Sequence, residues 1–506
     1  MIILNPKNRF PAAVLALCLA AAAVAGCSLN GRANKSTVTT ATAAETESSV
    51  IDTSAVFSES DKDSGYDASE AQKIILNGSS ASSDSPAVSI NGSVITVKGK
   101  GVFEVTGTLD DGYIVVDAGD SDDIQIVLKD ADITSSDYAA LYCLNADNVY
   151  ITLADGTSNF LKNNGEFASK DSNSVDGAVF AKTDITINGS GSLEIVSTDH
   201  GIVGKDDVAV TGGIITVTAS SDGIQANDSV AIQDATIDIT CGKDGIQSDN
   251  DKDASKGYIY ISSGNINIAA GDDGITASST LQIDGGTVNI TKSYEGLEGQ
   301  LVVITNGTVS IISSDDGINA VTESSGEAMR DDGSSNIRIT GGEIYVRSEG
   351  DGVDSNGTLD MSGGTLTVMG PTRGANGSLD VNGSATITGG TVIMAGCSSM
   401  ATNFTDASQG TLLLTTGSQS QGTAIKVTDS TGEVILEAAT DCSYECIVVS
   451  SPELTVGNTY TVTAGDYTDT ITLTENIYGS GTGMGGPGGG FPGGGFPDGG
   501  PGGRGF

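Results

Sequence analysis

Short stretches in which apolar and polar residues alternate follow one another along the chain, from about Val88 to Met400. Ser93–Val97 and Ile124–Leu128 are typical examples. A period of two residues indicates β-strands that bury one face. No stretch in this region shows the period of 3.6 residues that would favour a helix. The pattern therefore predicts a body built from many short strands.

A short motif, Asp-Gly-Ile or a close variant, recurs between these strands. Subtracting each motif glycine number from the next gives steps of 24, 22, 22, 29, 22, 21 and 35, for Gly177, Gly201, Gly223, Gly245, Gly274, Gly296, Gly317 and Gly352. The two longest steps contain polar inserts, around residues 249–256 and 323–335. A spacing that returns to about 22 residues after an insert indicates a structural repeat of that length.

Each repeat has the same internal order. A motif strand is followed by a second short strand, a turn such as Asp284-Gly285-Gly286, and a third strand. Three strands in roughly 22 residues predict an all-β fold, a parallel β-helix in which each repeat forms one coil. Leucine-rich repeats have similar periods, but their fixed Leu and Asn pattern is absent. After about residue 404 the spacing changes and favours a small antiparallel β cap.

Changes of composition divide the chain into five predicted segments. The first is a signal peptide and the second is a disordered tether rich in Ser, Thr, Ala and acidic residues. The β-helix and its cap follow, and a disordered Gly- and Pro-rich tail ends the chain. The predicted bounds are, in order, 1–26, 27–72, 73–403, 404–476 and 477–506.

The N-terminus has the features of a secreted lipoprotein. Lys7 and Arg9 precede an apolar run, which ends in the lipobox Val24-Ala25-Gly26-Cys27. We expect lipid on Cys27 to anchor the protein to the cell envelope on its extracellular face, with no other membrane contact. The plainer alternative is an ordinary signal peptide with an incidental cysteine. The remaining cysteines are scattered, so no disulfide framework is predicted.

The charge balance restricts the class of partner. The chain has 65 acidic and 23 basic residues, a formal net charge of −42, a single His and no Trp. Such a surface repels nucleic acid and anionic membranes. It suits an extracellular protein that gathers cations, and we expect it to be a monomer.

The residues immediately before the motif glycines are mostly acidic. In a β-helix they would form a column about 4.8 Å apart, where two unit charges repel by roughly 0.9 kcal/mol in water and roughly 3.5 kcal/mol at an effective dielectric of 20. Calcium, which prefers carboxylate and carbonyl oxygens, would offset this repulsion. The alternative is that these side chains only make local turn hydrogen bonds. The predicted metal ligands are Asp222, Asp244, Asp272, Asp273, Glu295, Asp315, Asp316 and Asp351.

Several ordered motifs resemble the clostridial β-helix carbohydrate-binding family, over about residues 90–475. They lie at residues 107–112, 153–159, 200–207, 270–275 and 292–299. The resemblance implies a right-handed parallel β-helix that contains calcium and binds plant cell-wall polysaccharide, particularly acidic pectic sugars and cellulose. It also implies structural kinship with polysaccharide lyase family 9.

A second column gives candidates for contacts with such a ligand. From Gly223 onward the second residue after each motif glycine is polar: Gln225, Gln247, Thr276, Glu298, Asn319 and Asp354. This ladder could hydrogen-bond along the stack or face sugar hydroxyls. Because an acidic chain repels an acidic glycan, nearby cations or calcium must attract it, and an exposed ring could stack on a sugar. The predicted ligand-binding residues are Lys292, Tyr294, Glu298 and Lys243.

The kinship with lyases raises the question of catalysis. Such a lyase, as the resemblance implies, uses an Asp-Asp-Gly-x-Asp segment, a further Asp and a Lys base. Here Asp272-Asp273-Gly274-Ile275 is followed by Thr276, and no coil completes the set. Lys292 aligns by spacing with Ala270 and Ser313, and could act as a base or pair with Glu295. We predict a non-catalytic carbohydrate-binding protein; the alternatives are a calcium-dependent pectate lyase-like enzyme and a structural adhesin without a glycan site.

Overall fold

A computed structural model describes residues 51–250, 252–253, 255–322 and 333–479. The predicted signal peptide, the lipobox with Cys27 and most of the Gly-rich tail lie outside the described residues. Within those ranges the chain forms one four-residue helix, Glu59–Lys62, and otherwise strands, turns and bends. No helix among the described residues has the length and apolar character needed to cross a bilayer.

Most strands stack in three parallel faces, which we call A, B and C in the order in which each coil visits them. Face A contains the motif strands: Val94–Val97, Tyr113–Asp117, Leu141–Asn145, Gly177–Ala181, His200–Gly204, Ile224–Ala226, Ile246–Ser248, the first part of Ile275–Ile283 and of Leu297–Ile304, Ile318–Ala320, Val353–Ser355 and Asp380–Val381. Face B continues with Asn148–Leu153, Asp184–Gly189, Asp207–Val210, Ser229–Ile232, Tyr258–Ile261, the second part of Ile275–Ile283 and of Leu297–Ile304, Asn336–Ile339, Thr358–Met361, Ala385–Ile387 and Asp406–Ala407.

Face C closes each coil. It contains Ser158–Asn163, Ser192–Ser197, Ile214–Ala219, Thr236–Cys241, Asn265–Ala269, Thr287–Ser293, Thr308–Ser313, Glu343–Arg347, Thr365–Met369 and Thr391–Gly396. At the N-terminal end the longer strands Gln72–Gly78, Gly101–Leu109 and Ile124–Ser135 run through faces B and C together. There the short strand Ala81–Ser82 pairs antiparallel with Gln72–Gly78, and Val88–Asn91 pairs antiparallel with Val94–Val97.

The register of the coils follows the motif spacing. Ile224 pairs with Ile246, which pairs with Ile275, and all three side chains are fully buried. Inward residues of the three faces form one continuous apolar cluster along the body. Each fully buried Ile, Leu or Val contributes about 1.5–3 kcal/mol relative to exposure. The predicted parallel β-helix is confirmed.

Glycines serve two different purposes in a coil. At the corner between faces B and C, Gly286 has φ +80° and Gly364 has φ +79°, a region that other residues resist. The motif glycines instead permit close stacking: a Cβ on Gly245 would lie 2.4 Å from the carbonyl oxygen of Gly274. Both roles keep the coil spacing constant.

Residues 51–71, which we call the N-terminal strap, lie against face B, although the composition predicts a disordered tether through residue 72. Ser58 caps the helix Glu59–Lys62. Asp61 Oδ1 accepts a hydrogen bond from Thr186 Oγ1 at 2.6 Å, and the ring of Phe57 lies 6.0 Å from that of Tyr260. Composition missed this because the strap gains its order from polar contacts with the body, not from a core of its own.

The C-terminal unit is antiparallel and is joined to the last coil. Tyr444–Ser451 pairs with the face C strand Thr391–Gly396 and with Gly410–Gln419. A four-stranded sheet of Ile425–Asp429, Val434–Ala438, Thr459–Ala464 and Tyr467–Thr472 packs on its own apolar cluster. The strand Ile477–Tyr478 pairs with Gly410–Gln419, so pairing continues past the predicted bound at residue 476. The five described cysteines are free and buried.

Candidate functional site

The acidic column runs along the corner between faces C and A. One oxygen of each of several carboxylates accepts a hydrogen bond from the backbone N–H of the equivalent residue in the next coil. Asp222 accepts from Asp244 at 3.1 Å, Asp244 from Asp273 at 3.0 Å, and Asp273 from Glu295 at 3.0 Å. These bonds use Oδ1 and join successive coils, so they differ from the local turn hydrogen bonds expected as the alternative to calcium. The Oδ2 atoms have side-chain partners: Gln247 for Asp244, Thr276 for Asp273 and His200 for Asp222.

Glu295 interrupts this series, because its side chain is one methylene longer. It accepts a hydrogen bond from Asn319 Nδ2 at 2.8 Å instead of one from the next coil's turn. Burial, then a hydrogen bond with Glu298, raise the pKa of Glu295, and burial raises the pKa of Glu298 as well. The two carboxyl groups thus approach each other without a cation from the protein.

Two groups of three carboxylates flank the Glu295 coil. The first is Asp244, Asp272 and Asp273, and the second is Asp316, Asp351 and Asp354; in each group one oxygen per residue lies within 4.8 Å of the others. We call them the first and second carboxylate clusters. Five of the predicted metal ligands meet in these clusters, and Asp354 was predicted only as part of the ladder.

Burial is the first cause of the raised pKa values in both clusters, and neighbouring carboxylates add to it. The pKa of Asp244 rises to about 7 and that of Asp273 to about 6. In the second cluster the pKa of Asp316 and of Asp351 rises to about 7, and that of Asp354 to about 8. A group of buried carboxyls that resists ionisation is one that a divalent cation would stabilise.

The donor atoms fit calcium. Both clusters offer only oxygen, and among the described residues no Lys or Arg forms an ion pair with either. The Oδ1 atom of buried Asn319, whose strand neighbour is Asp354, has no hydrogen-bond partner in the described ranges. Calcium takes six to eight such oxygens at flexible geometry.

Three predicted ligands lie outside the clusters. Asp222 contacts the chain's single histidine, with its Oδ2 2.9 Å from His200 Nδ1. Asp315 accepts a hydrogen bond from the hydroxyl of Tyr294, and this bond is the first cause that raises the pKa of Tyr294 to about 12. Glu295 lies between the two clusters, with Glu298 as its carboxyl partner.

A third carboxylate group lies at a different corner, between faces A and B. It consists of Asp184, Asp206 and Asp207, and the sequence analysis missed it. Asp184 and Asp207 each come three residues after the end of a face A strand. This repeated spacing is the feature of the sequence that could have predicted the group. Asp206 also hydrogen-bonds Asp228, which forms an ion pair with Lys256. Unlike the other two, this group therefore adjoins a cation of the protein.

The polar ladder is connected to the acidic column. Gln225 donates to Gln247 at 2.9 Å, Gln247 donates to Asp244 Oδ2 at 2.9 Å, and Thr276 donates to Asp273 Oδ2 at 3.2 Å. Hydrogen bonds along the stack thus join the two glutamines and join Asn319 to Glu298 at 3.4 Å, while Gln247 and Thr276 also bond to the acidic column. We call the ladder from Gln225 to Asp354 the polar half of face A.

Lys292 occupies a different place from the one its spacing indicates. The register shifts between Ile290 and Ser293, so that Ser293, not Lys292, pairs with Ser313. Thr291 and Lys292 form a β-bulge in which Lys292 pairs with Ala269 of the preceding coil and its side chain is exposed. No ion pair joins it to Glu295 in the described part of the chain, because the bulge turns it to solvent. Lys243 is exposed likewise, and Tyr294 is 48% exposed.

The N-terminal half of the same column is aromatic. In register before Gln225 come Val203, Phe180, Tyr142 and Val115. Together with Tyr113 and Tyr138 we call them the aromatic half of face A. They form an apolar cluster separate from the coil interior, beneath a loop of residues 164–176. This surface was not predicted from the sequence, because its aromatic residues are spread over three coils.

Comparison with known proteins supports the resemblance. Residues 91–331, just under half of the chain, match the model of a family described as carbohydrate-binding domain-containing protein. A protein of that description from Acetivibrio thermocellus is 34% identical over 149 residues, which is 29% of this chain and 52% of the relative, about half its length. A solved structure, the polysaccharide lyase-like protein from C. thermocellum as a gadolinium derivative, is 27% identical with a TM-score of 0.41, covering 57% of this chain and 96% of that one. The resemblance that the motifs indicate is therefore confirmed over residues 91–331, which match this carbohydrate-binding domain family.

Proposed function

We propose that the protein is a non-catalytic surface lipoprotein that binds plant cell-wall polysaccharide, mainly acidic pectic glycans and also cellulose, with calcium in its β-helix. The observation that carries the proposal is the polar half of face A, an open row of side-chain amides, hydroxyls and carboxyls that runs alongside the two carboxylate clusters. The family match covers both the first cluster and most of this row.

Calcium explains how an acidic protein would hold an acidic glycan. With a net charge of −42 the chain repels polygalacturonate at long range. Calcium held by Asp244, Asp272 and Asp273, and by Asp316, Asp351 and Asp354, would supply local positive charge for uronate carboxylates. The exposed Lys243 and Lys292 would add to it. Both clusters lie along the same edge of face A, so one extended chain would meet both.

The ladder would supply hydrogen bonds to the sugar hydroxyls. Its members repeat once per coil, about every 4.8 Å, along the body. Amides and hydroxyls both donate and accept, as sugar hydroxyls require. Tyr294, 48% exposed beside the column, would offer a ring face to one sugar. The proposed glycan therefore runs parallel to the helix axis and crosses successive coils.

The absence of catalysis is part of the proposal. No coil has the complete lyase segment, and Lys292 is a bulge residue that points to solvent. A lyase would release an unsaturated uronate, which absorbs ultraviolet light. We expect no such absorbance from polygalacturonate with calcium, and its appearance would favour the lyase alternative.

Anchoring at the cell envelope rests on the lipobox. If Cys27 carries the lipid, a Cys27→Ser variant should appear in the medium instead of the membrane fraction, and it should not incorporate labelled fatty acid. Retention of the variant in the membrane fraction would exclude this mode of anchoring.

The glycan site is tested by removing charge from the Glu295 coil and its neighbour. We expect Glu295→Gln with Asp273→Asn to weaken binding to polygalacturonate in affinity gels with calcium, and the circular dichroism spectrum to stay unchanged. The control is Glu194→Gln with Asp238→Asn, which removes two carboxylates from face C. Equal retardation of parent, test and control proteins would move the site away from this edge; failure of the parent to bind any glycan would favour the adhesin alternative.

A further inference from the structure

The loop of residues 164–176, which covers the aromatic half of face A, surrounds an open cavity. The cavity has a volume of about 220 Å³ and is lined by residues 167–171 and 174–176 of the loop. A water molecule accounts for about 30 Å³ of liquid volume, so this space holds several. The loop alone lines this cavity, so a ligand reaches the rings of Tyr113 and Tyr138 only when the loop moves.

Polar side chains, in addition to the apolar Phe167 and Val175, hold the loop to the aromatic residues. The Nζ atom of Lys170 lies 4.7 Å from the ring centre of Tyr113 and 5.0 Å from that of Tyr138. It also lies 2.6 Å from Asp137 Oδ1, and its side chain is 31% exposed. Both tyrosine rings therefore turn a face towards the loop, and a partly solvated cation covers those faces.

Asp171 makes the second attachment. Its Oδ2 accepts hydrogen bonds from the hydroxyls of Tyr138 at 3.0 Å and Tyr142 at 2.9 Å. Burial raises the pKa of Tyr142, and its bond to Asp171 adds to the shift. These bonds leave two phenolic hydroxyls paired only while the loop is in place. Any replacement for the loop must offer ring-facing atoms and hydrogen-bonding oxygens together.

A sugar ring has this combination, because its C–H groups pack on aromatic faces and its hydroxyls bond to phenols. We propose that Tyr113 and Tyr138 form a stacking subsite for an uncharged pyranose, and that the loop of residues 164–176 is a lid over it, fastened by Lys170 and Asp171. The inference rests on the proposed function, because the subsite extends the same glycan-binding face. Register links it to Gln225 through Phe180 and Val203.

The charges select an uncharged sugar. Asp137 and Asp171 adjoin the rings, and Asp176 lines the cavity. When Lys170 moves away with the lid, Asp137 remains and repels a uronate. A neutral glucan segment meets no such repulsion. The two halves of face A would then prefer different sugars, acidic on the polar half and neutral on the aromatic half.

The proposal is tested with a variant that lacks the side chains fastening the lid. Binding of cellohexaose to the whole protein is measured by calorimetry. We expect Lys170→Ala with Asp171→Ala to bind about fivefold more tightly than the parent, because the rings are uncovered. Adding Tyr113→Leu should abolish the gain. The matched control is Lys162→Ala with Glu194→Ala, which removes a cation 4.4 Å above the Phe160 ring and its carboxylate partner on face C. The control should bind as the parent does.

A folded Lys170→Ala, Asp171→Ala protein that binds cellohexaose no better than the parent overturns the lid. A gain that survives Tyr113→Leu, or an equal gain in the control, overturns the stacking subsite. If the parent binds polygalacturonate with calcium, these failures leave the proposed function intact. If neither the parent nor the opened variant binds either glycan, both proposals fail.

Discussion

The aromatic and polar halves of face A occupy the same register column but reach stability by different means. In the aromatic half, Tyr142 and Phe180 pack edge to face with ring centres 5.8 Å apart, and the loop excludes water from them. In the polar half, Glu298 and Asp354 stand at the equivalent positions, and their pKa values are raised by burial among other carboxyls. The coil interior behind both halves is the same continuous apolar cluster.

The comparison shows that the coil interior holds the fold, while the outward column is free to vary. Apolar side chains that point outward must be shielded from water, and the loop of residues 164–176 shields those of the aromatic half. A buried carboxylate needs a counter-charge, as Glu104 shows: it lies 3.0 Å from Lys73 and 3.3 Å from Lys129. Despite burial, hydrogen bonds from those lysines lower the pKa of Glu104. The two carboxylate clusters have no such partner among the described residues.

The largest expected effect on stability comes from truncating one outward side chain in the aromatic half, compared with one in the polar half. Phe180→Ala should lower the free energy of unfolding by about 3–5 kcal/mol, because the fully buried ring leaves a cavity. Thr276→Ala, at the equivalent position of the polar half, should cost about 1 kcal/mol or less. Urea unfolding followed by circular dichroism measures both. Similar losses would mean that the loop contributes no separate core.

Calcium removal should act on the polar half alone. A site filled at about 100 times its Kd stabilises the native state by about 2.7 kcal/mol. In a protein of this size, with an unfolding entropy of about 2.1 cal/mol/K per residue, a chelator should therefore lower the Tm by about 3 °C for each such site. Hydrogen exchange should accelerate at residues 244–277 and 316–355 and stay unchanged at residues 113–203. Magnesium at equal ionic strength should not restore the Tm, since it demands tighter octahedral geometry. An unchanged Tm would exclude calcium from the clusters.

The pH dependence should follow the raised carboxyl pKa values. Asp354 titrates at about 8 and Asp244, Asp316 and Asp351 at about 7 in the folded protein, against about 3.9 in an unfolded chain. Between these values the native state holds protons that the unfolded state has lost, so stability falls as pH rises from about 4 to about 8. Melting in chelator at pH 5.5 and 8 tests this. Calcium should reduce the difference, and a higher Tm at pH 8 in chelator would contradict the assignment.

The smallest effect concerns the exposed bulge residue. Lys292→Ala should weaken binding to polygalacturonate about two- to threefold, because a solvated cation near the site contributes well under 1 kcal/mol. Lys98→Ala, which removes the same charge from the N-terminal end, should leave affinity unchanged. Titration at two salt concentrations should show a weaker salt dependence for Lys292→Ala only. Identical curves for both variants would exclude a local role for Lys292.

Much of the site could be predicted from the repeat, because stacking at a fixed period converts sequence spacing into contact. The motif steps aligned Asp244 with Asp273 and Asp316 with Asp351, and the structure brings each pair together. The same logic failed at Lys292, where one inserted residue shifts the register. It also failed at residues 51–71 and 164–176, since no repeat determines where a non-repeating segment lies.

The sequence by itself determined the coil, because inward apolar residues every second position and glycines every 22 or so residues leave few other ways to bury the chain. The tertiary structure decided what covers the outside of each coil. The N-terminal strap and the loop over the tyrosines depend on contacts between residues far apart in the chain. Such contacts carry no local periodic signal, so only the folded arrangement reveals them.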